Sequence, residues 1–344
     1  MVDLASMTRT ARALVAPGKG ILAADESTPT MTKRLAGIGV ESTEDRRRAY
    51  REILFSTEGI GEFISGVILF DETIRQRASD GRAFLDVIRD HGVIPGIKVD
   101  RGTSPLAGFP AELVTEGLDG LRNRLAEYAS MGAGFAKWRA VISIGAERPS
   151  PTCIEANAHA LARYAALSQE AGLVPVVEPE VLMDGPHSLE RHAEVTSATL
   201  RAVYEHLARH RVALEATLLK PNMVLSGTQH PARAGLDEVA EATIAVLRAT
   251  VPAAVAGIVF LSGGQSDEDA TERLDAINRR SPQPWELSFS FGRALQAPVL
   301  RAWAGDDANR PAAQAALLHR AVMNGMARRG AYNPGMEARG VSPT

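Results

Sequence analysis

Lys220 sits in the run EATLLKPN, residues 215–222. Pro221 disfavours helical geometry at the residue before it, so the lysine is expected as the last extended residue of a strand, with its amine facing a strand-end cavity. A lysine attacks a carbonyl carbon only as the free amine, and at an ordinary pKa of about 10.4 roughly one molecule in 2,500 is neutral at pH 7. Lowering that pKa by ~3 units needs roughly 4 kcal/mol, which a nearby cation and desolvation together can supply. Lys137 is a cation able to do this if the fold brings the two lysines together. Other chemistry-bearing residues follow the same rule of position. Asp25, Lys98, Lys137 with Arg139, Glu178 with Glu180, Ser262 and Arg293 all stand near the C-terminal ends of short apolar runs. Anion-binding features accompany them. The run FLSGGQS, residues 260–266, offers the backbone N–H groups of Gly263 and Gly264 ahead of an acidic helix start, and Gly292 precedes Arg293 in FSFGR. Lys98, Arg139 and the segment from Ser27 to Thr30 could hold a second phosphate across the same mouth.

Such residues need elements that converge. Apolar or β-branched runs recur at 21–25, 64–70, 94–100, 135–142, 173–179, 213–220, 257–262 and 287–291. Helical patterns lie between them, as in residues 117–131, where Leu118, Leu121, Leu125 and Tyr128 share one face. Strand then helix, repeated, means parallel pairing, and eight such units predict a (β/α)8 TIM barrel. An open dinucleotide-binding sheet fits less well, because no GxGxxG follows the first run. Alternate strands of a barrel feed one layer, which would bring Lys137 and Lys220 within reach of each other. The expected organisation is one domain over residues 1–335 and a flexible C-terminal tail over 336–344, with Gly and Pro loosening the chain from residue 330.

Composition narrows the partners. Of the 344 residues 45% are hydrophobic, enough for a large core, and the formal net charge of −3 leaves no excess basicity for a nucleic-acid backbone or an anionic membrane. A single cysteine, Cys153, excludes an intrachain disulfide, and no apolar stretch reaches spanning length. A soluble protein of the reducing cytoplasm that binds a small phosphorylated molecule fits. His206 and His210 have the i, i+4 spacing of a metal pair, but no third ligand pattern accompanies them and no metal is expected. Arg46, Arg47 and Arg48 read as a solvated face with local ion pairs, and Cys153 as an inert thiol.

Taken together, ILAADEST, GVILFDET, GIKVDRG, FAKWR, VVEPE, LLKPN, FLSGGQS and FSFGRALQA resemble the blocks of the class I fructose-bisphosphate aldolases, in that order and spacing, from about residue 12 to about residue 335. The resemblance implies reversible cleavage of fructose 1,6-bisphosphate to dihydroxyacetone phosphate and glyceraldehyde 3-phosphate, without a cofactor, by a homotetramer of glycolysis and gluconeogenesis. It implies that Lys220 forms the Schiff base, Glu178 is its general acid and base, and Asp25 takes the C4 hydroxyl proton. Lys137 would tune the lysine and Glu180 support the charge network. Ser262, Gly263, Gly264, Gly292 and Arg293 would bind the C1 phosphate, and Ser27, Thr30, Lys98 and Arg139 the other. Alternatives are an aldolase for another phosphorylated sugar and a non-catalytic binding barrel. The chain departs from the family pattern at Ala216, where Gly is usual, at Pro29 and Thr30 in place of Gly and Ser, and in ending on Thr344 rather than tyrosine.

Overall fold

The computed structural model describes residues 3–280 and 282–338. Each of the eight apolar runs forms a strand: β1 (Gly20–Ala24), β2 (Ile64–Leu69), β3 (Ile94–Lys98), β4 (Phe135–Ile142), β5 (Val174–Val181), β6 (Leu218–Leu219), β7 (Gly257–Phe260) and β8 (Glu286–Phe291). They pair in parallel, each with its sequence neighbours, and β8 returns to β1 to close the barrel. Helices follow the strands and cover the outside, the longest being Pro151–Glu170 and Leu189–Arg209. Closure explains why these strands read as apolar runs rather than alternating ones, since one face meets the helices and the other fills the barrel.

The floor of the barrel is plugged. Helix Leu4–Leu14, capped by Asp3 accepting from the Ser6 N–H at 2.9 Å, sends Met7, Ala11 and Leu14 into a cluster with Ile21, Phe135, Val174, Leu218 and Val259. Ala216 is fully buried in this cluster, so its methyl group is absorbed by floor packing away from the strand ends. Phe135 fits because β2 and β3 offer no side chain at Gly66 and Gly96.

Three expectations need correction. The run 213–220 gives only a two-residue strand, because Leu214–Ala216 forms a 3-10 turn after Arg211 at φ 56°. Pairing still extends past β6, where the Lys220 N–H donates to the Val177 carbonyl at 2.8 Å. The helix expected over 117–131 begins at Leu121, since Gly117 and Gly120 take positive φ. Residues 330–338 are not loose: Tyr332 is buried, its N–H donates to Asp275, and Glu337 pairs with Arg320 and His319. The remainder of the expected tail, residues 339–344, lies outside the described residues. An antiparallel hairpin, Thr103–Pro105 with Leu113–Thr115, follows β3 and was not expected. Among the described residues no helix is long and apolar enough to cross a membrane.

A Cβ at Gly96 would lie 2.4 Å from the Phe135 ring. Gly96→Ala is therefore expected to lower stability by ~1–3 kcal/mol in urea unfolding, and the pair Gly96→Ala with Phe135→Leu to recover part of it.

Candidate active site

Above that floor the strands turn polar. Register sets the order: Lys98 lies opposite Lys137 across β3 and β4, and Arg139 opposite Glu178 and Val141 opposite Glu180 across β4 and β5. Side chains two apart on a strand share a face, so Lys137 with Arg139 and Glu178 with Glu180 all project into the barrel mouth. There a cavity of about 420 Å³ opens. Asp25, Ser27, Thr30, Lys98, Lys137, Arg139, Glu178, Glu180, Lys220, Ser262, Gly263, Gly292 and Arg293 all line it.

Gly264 does not line this cavity and instead borders a neighbouring cleft with Met183 and Leu225. It holds φ +72°, and a Cβ there would stand 2.2 Å from the Met183 sulfur, so this glycine shapes the loop from behind.

At the bottom of the mouth four charges form one chain. Lys137 Nζ stands 2.7 Å from Asp25 Oδ2 and 3.0 Å from Glu178 Oε2, and Glu178 Oε1 stands 3.1 Å from Lys220 Nζ. Both lysines are nearly closed off from solvent, Lys220 at 4% and Lys137 at 3% exposure. Burial pushes the Asp25 carboxyl up, but the ammonium groups of Lys137 and Lys220 outweigh it and hold Asp25 far below the usual carboxylate range. Glu178 is depressed in the same way, burial being overcome by Lys137, Lys220 and Arg139. For Lys137 burial favours the neutral amine, yet Asp25 and Glu178 keep it firmly protonated. The neighbouring cation anticipated for Lys220 is thus itself ion-paired, and Glu178 contacts both amines.

Further out lie the anion-binding candidates. Ser27 stands at the N-terminal boundary of helix Thr28–Ala36 without a side-chain capping bond, and its hydroxyl lies 3.1 Å from that of Thr30. Pro29 falls in the first turn of that helix, where a missing N–H costs nothing. Lys98 is bonded to Asp100, and Arg139 spends Nε on Glu180, which leaves its terminal nitrogens toward the cavity without a protein partner among the described residues. Across the mouth, Ser262 and Gly263 follow β7, and Gly292 and Arg293 open the helix after β8.

Sequence reading passed over several lining residues. Asp100 accepts from Lys98, from the Gly102 N–H and from the Arg139 N–H, and so ties two of the predicted phosphate ligands together. Its signal in the sequence is a charge just past the end of β3, two residues beyond Lys98. Glu26 and Arg34 also line the cavity and pair with each other. Ser290 does too, with a buried hydroxyl that finds no partner among the described residues. No spacing rule singles these out. Away from the mouth, His206 pairs with Glu155 at 2.7 Å and His210 bonds the His206 carbonyl. Among the described residues no group of three His, Cys, Asp or Glu side chains stands where it could hold a metal ion. Arg47 pairs with Glu72 and Arg48 with Glu52, and burial pushes the Cys153 thiol up.

A family model described as "Fructose-bisphosphate aldolase class-I" matches residues 6–342. The chain belongs to the class I fructose-bisphosphate aldolase family. It is 56% identical over 332 residues to a probable fructose-bisphosphate aldolase class 1 of Xanthomonas campestris, covering 96% of this chain and 99% of the relative. It is 55% identical over 332 residues to the fructose-bisphosphate aldolase of Drosophila melanogaster, covering 96% and 92%. The fructose-bisphosphate aldolase of Plasmodium falciparum, solved in complex with TRAP and a small molecule inhibitor, superposes with a TM-score of 0.95 at 47% identity, covering 96% of each chain. An aldolase barrel of this kind is therefore the scaffold on which the four-charge chain is built.

Removing Lys137 leaves Asp25 and Glu178 short of a counter-charge. Lys137→Met is expected to cost roughly 3–5 kcal/mol of stability at pH 7. Both carboxylates have depressed folded pKa values, so they stabilise the native state above their unfolded pKa, and without Lys137 those folded values rise. The deficit should narrow between pH 7 and about pH 4, as the variant's carboxylates take up protons. Urea unfolding of both proteins across that range checks the sign.

Proposed function

We propose that this enzyme reversibly cleaves fructose 1,6-bisphosphate to dihydroxyacetone phosphate and glyceraldehyde 3-phosphate through a Schiff base on Lys220. Membership of the class I aldolase family gives the reaction class. The observation that carries the residue assignment is the placement of Glu178, with one oxygen 3.1 Å from Lys220 Nζ and the other 3.0 Å from Lys137 Nζ.

Lys220 attacks the C2 ketone as the neutral amine, its proton passing to Glu178, whose carboxylate is ionised and ready to accept it. Glu178 returns the proton to the carbinolamine hydroxyl, which leaves as water, and the C2–N double bond forms as a protonated imine. That cation draws electrons from C3. Asp25, kept ionised by Lys137, accepts the C4 hydroxyl proton; the C3–C4 bond breaks, the C4 carbonyl forms and the bond's electron pair remains as the enamine. Protonation at C3 and hydrolysis of the imine release dihydroxyacetone phosphate and restore Lys220. Neither oxidation nor reduction occurs, and no cofactor is called for. Ser262, Gly263, Gly292 and Arg293 serve the C1 phosphate, with Gly264 shaping their loop from behind, and Ser27, Thr30, Lys98 and Arg139 serve the phosphate at C6. Glu180 neutralises Arg139 Nε and keeps that guanidinium aimed along the mouth.

We further infer a cytoplasmic homotetramer. The supports are a single, buried cysteine, a cytosolic Arabidopsis thaliana aldolase 55% identical over 317 residues, and the resemblance of the motif set. Sedimentation equilibrium is expected to give four times the chain mass of 36.7 kDa, and a monomer at micromolar concentration would refute the assembly.

Borohydride added with dihydroxyacetone phosphate should reduce the imine to a stable adduct on Lys220, detected by peptide mass mapping. Lys220→Met should give no adduct and lower kcat by more than about 1,000-fold, since the covalent route is closed. An adduct on another lysine would overturn the assignment.

A further inference from the structure

Glu26 follows Asp25 past the end of β1, and its side chain is only 5% exposed. Three helices meet on it. Arg34, from helix Thr28–Ala36, donates to Oε1. Gln296 Nε2, from helix Arg293–Trp303, donates to the same oxygen at 2.8 Å and to the Ala23 carbonyl of β1 at 2.7 Å. Arg51, from helix Glu44–Phe55, lies 2.7 Å from Oε2, and the neighbouring Tyr50 hydroxyl donates to Gln296 Oε1 at 3.1 Å.

Two consequences follow. The first is electrostatic. One carboxylate faces two guanidinium groups, which leaves one positive charge over; Arg51 is 2% exposed and Arg34 is 20% exposed and lines the cavity, so the surplus is presented to the cavity through Arg34. The second is geometric. Arg34 lies one helical turn beyond Thr30 on the same face, so Glu26 fastens the start of that helix to the chain just past β1, whereas Gln296, one turn beyond Arg293, is also held by the Ala23 carbonyl.

We propose that Glu26 is a positioning residue that sets the preference for a second phosphate, by fixing Arg34 beside Ser27 and Thr30. The proposal rests on the aldolase reading above. A sugar with one phosphate at C1 makes no demand on the Arg34 side of the mouth, so losing Glu26 should discriminate between substrates, which a general loss of stability would not.

The experiment is steady-state kinetics on fructose 1,6-bisphosphate and fructose 1-phosphate for the full-length enzyme and for Glu26→Gln, Glu26→Asp, Arg34→Met and the double variant Glu26→Gln with Arg34→Met. Glu26→Gln is expected to lower kcat/KM for the bisphosphate by about tenfold, chiefly through KM, and for fructose 1-phosphate by less than about twofold, the loss of one charge-assisted contact. In the double variant the bisphosphate loss should equal that of Arg34→Met alone, since a residue acting through Arg34 has nothing left to position. Glu26→Asp keeps the charge and shortens the reach, and should show the same selectivity change at smaller size even where Glu26→Gln folds poorly. Equal losses on the two sugars, or losses that multiply in the double variant, would overturn the role of Glu26. Wild-type protein that cleaves neither sugar would instead overturn the aldolase reading itself.

Discussion

The mouth of the barrel depends on interleaving two buried lysine amines with two buried carboxylates. An isolated charge of either sign in that position would be too costly to keep ionised, and the group would neutralise instead. Asp25, Lys137 and Glu178 avoid this by alternating in sign along one chain of contacts that ends on the amine of Lys220. The same alternation gives the chain its chemistry. In the proposed mechanism Glu178, shared between two amines, is the group through which a proton lost by Lys220 is held and returned. In the same proposal Asp25 is the base, and its pairing with Lys137 favours the ionised form.

Such a chain works only if its members cannot drift, and the fold supplies that rigidity from below. All four anchors sit on or just beyond strands whose register is fixed by parallel pairing on both sides. Those strands are in turn wedged apart and sealed by the N-terminal helix and Phe135 at the floor. Stability and chemistry are thus separated along the barrel axis, with close apolar packing at one end and compensated charge at the other. A change such as Gly to Ala at residue 216 falls in the apolar end and leaves the charged end its geometry.

Around the four central charges, a second ring of carboxylates restrains the cations that face the cavity. Asp100 holds Lys98 and the backbone of Arg139, Glu180 holds the Arg139 side chain, and Glu26 holds Arg34. Each pairing uses only part of its cation's hydrogen-bonding capacity and leaves donors for an anion. This resolves an apparent conflict with the chain's formal net charge of −3, which by itself would repel a bisphosphate. The attraction is local, set by guanidinium and ammonium groups whose partners fix their direction without consuming all their donors.

How much of this could be read from residue order follows from which physics is local. The eight apolar runs were legible because a barrel strand is buried on both faces, and Pro221 marked where the sixth must end. Charges closing those runs pointed to the mouth, since few other places tolerate Lys, Glu and Asp directly after a core strand. Local signals failed where distant segments decide. Leu214–Ala216 coils into a 3-10 turn whose ends are bonded by Gln169 from a helix more than 40 residues away, and residues 330–338 are held by Asp275, Arg279 and Arg320 despite a loop-like composition. Glu26, Arg34 and Ser290 gained their places in the cavity only through closure of the barrel and the docking of three helices on one carboxylate. The sequence by itself determined the strand order, the chemistry-bearing residues at the strand ends and the family. Tertiary structure alone decided which charge pairs with which, because pairing depends on distances between side chains far apart along the chain.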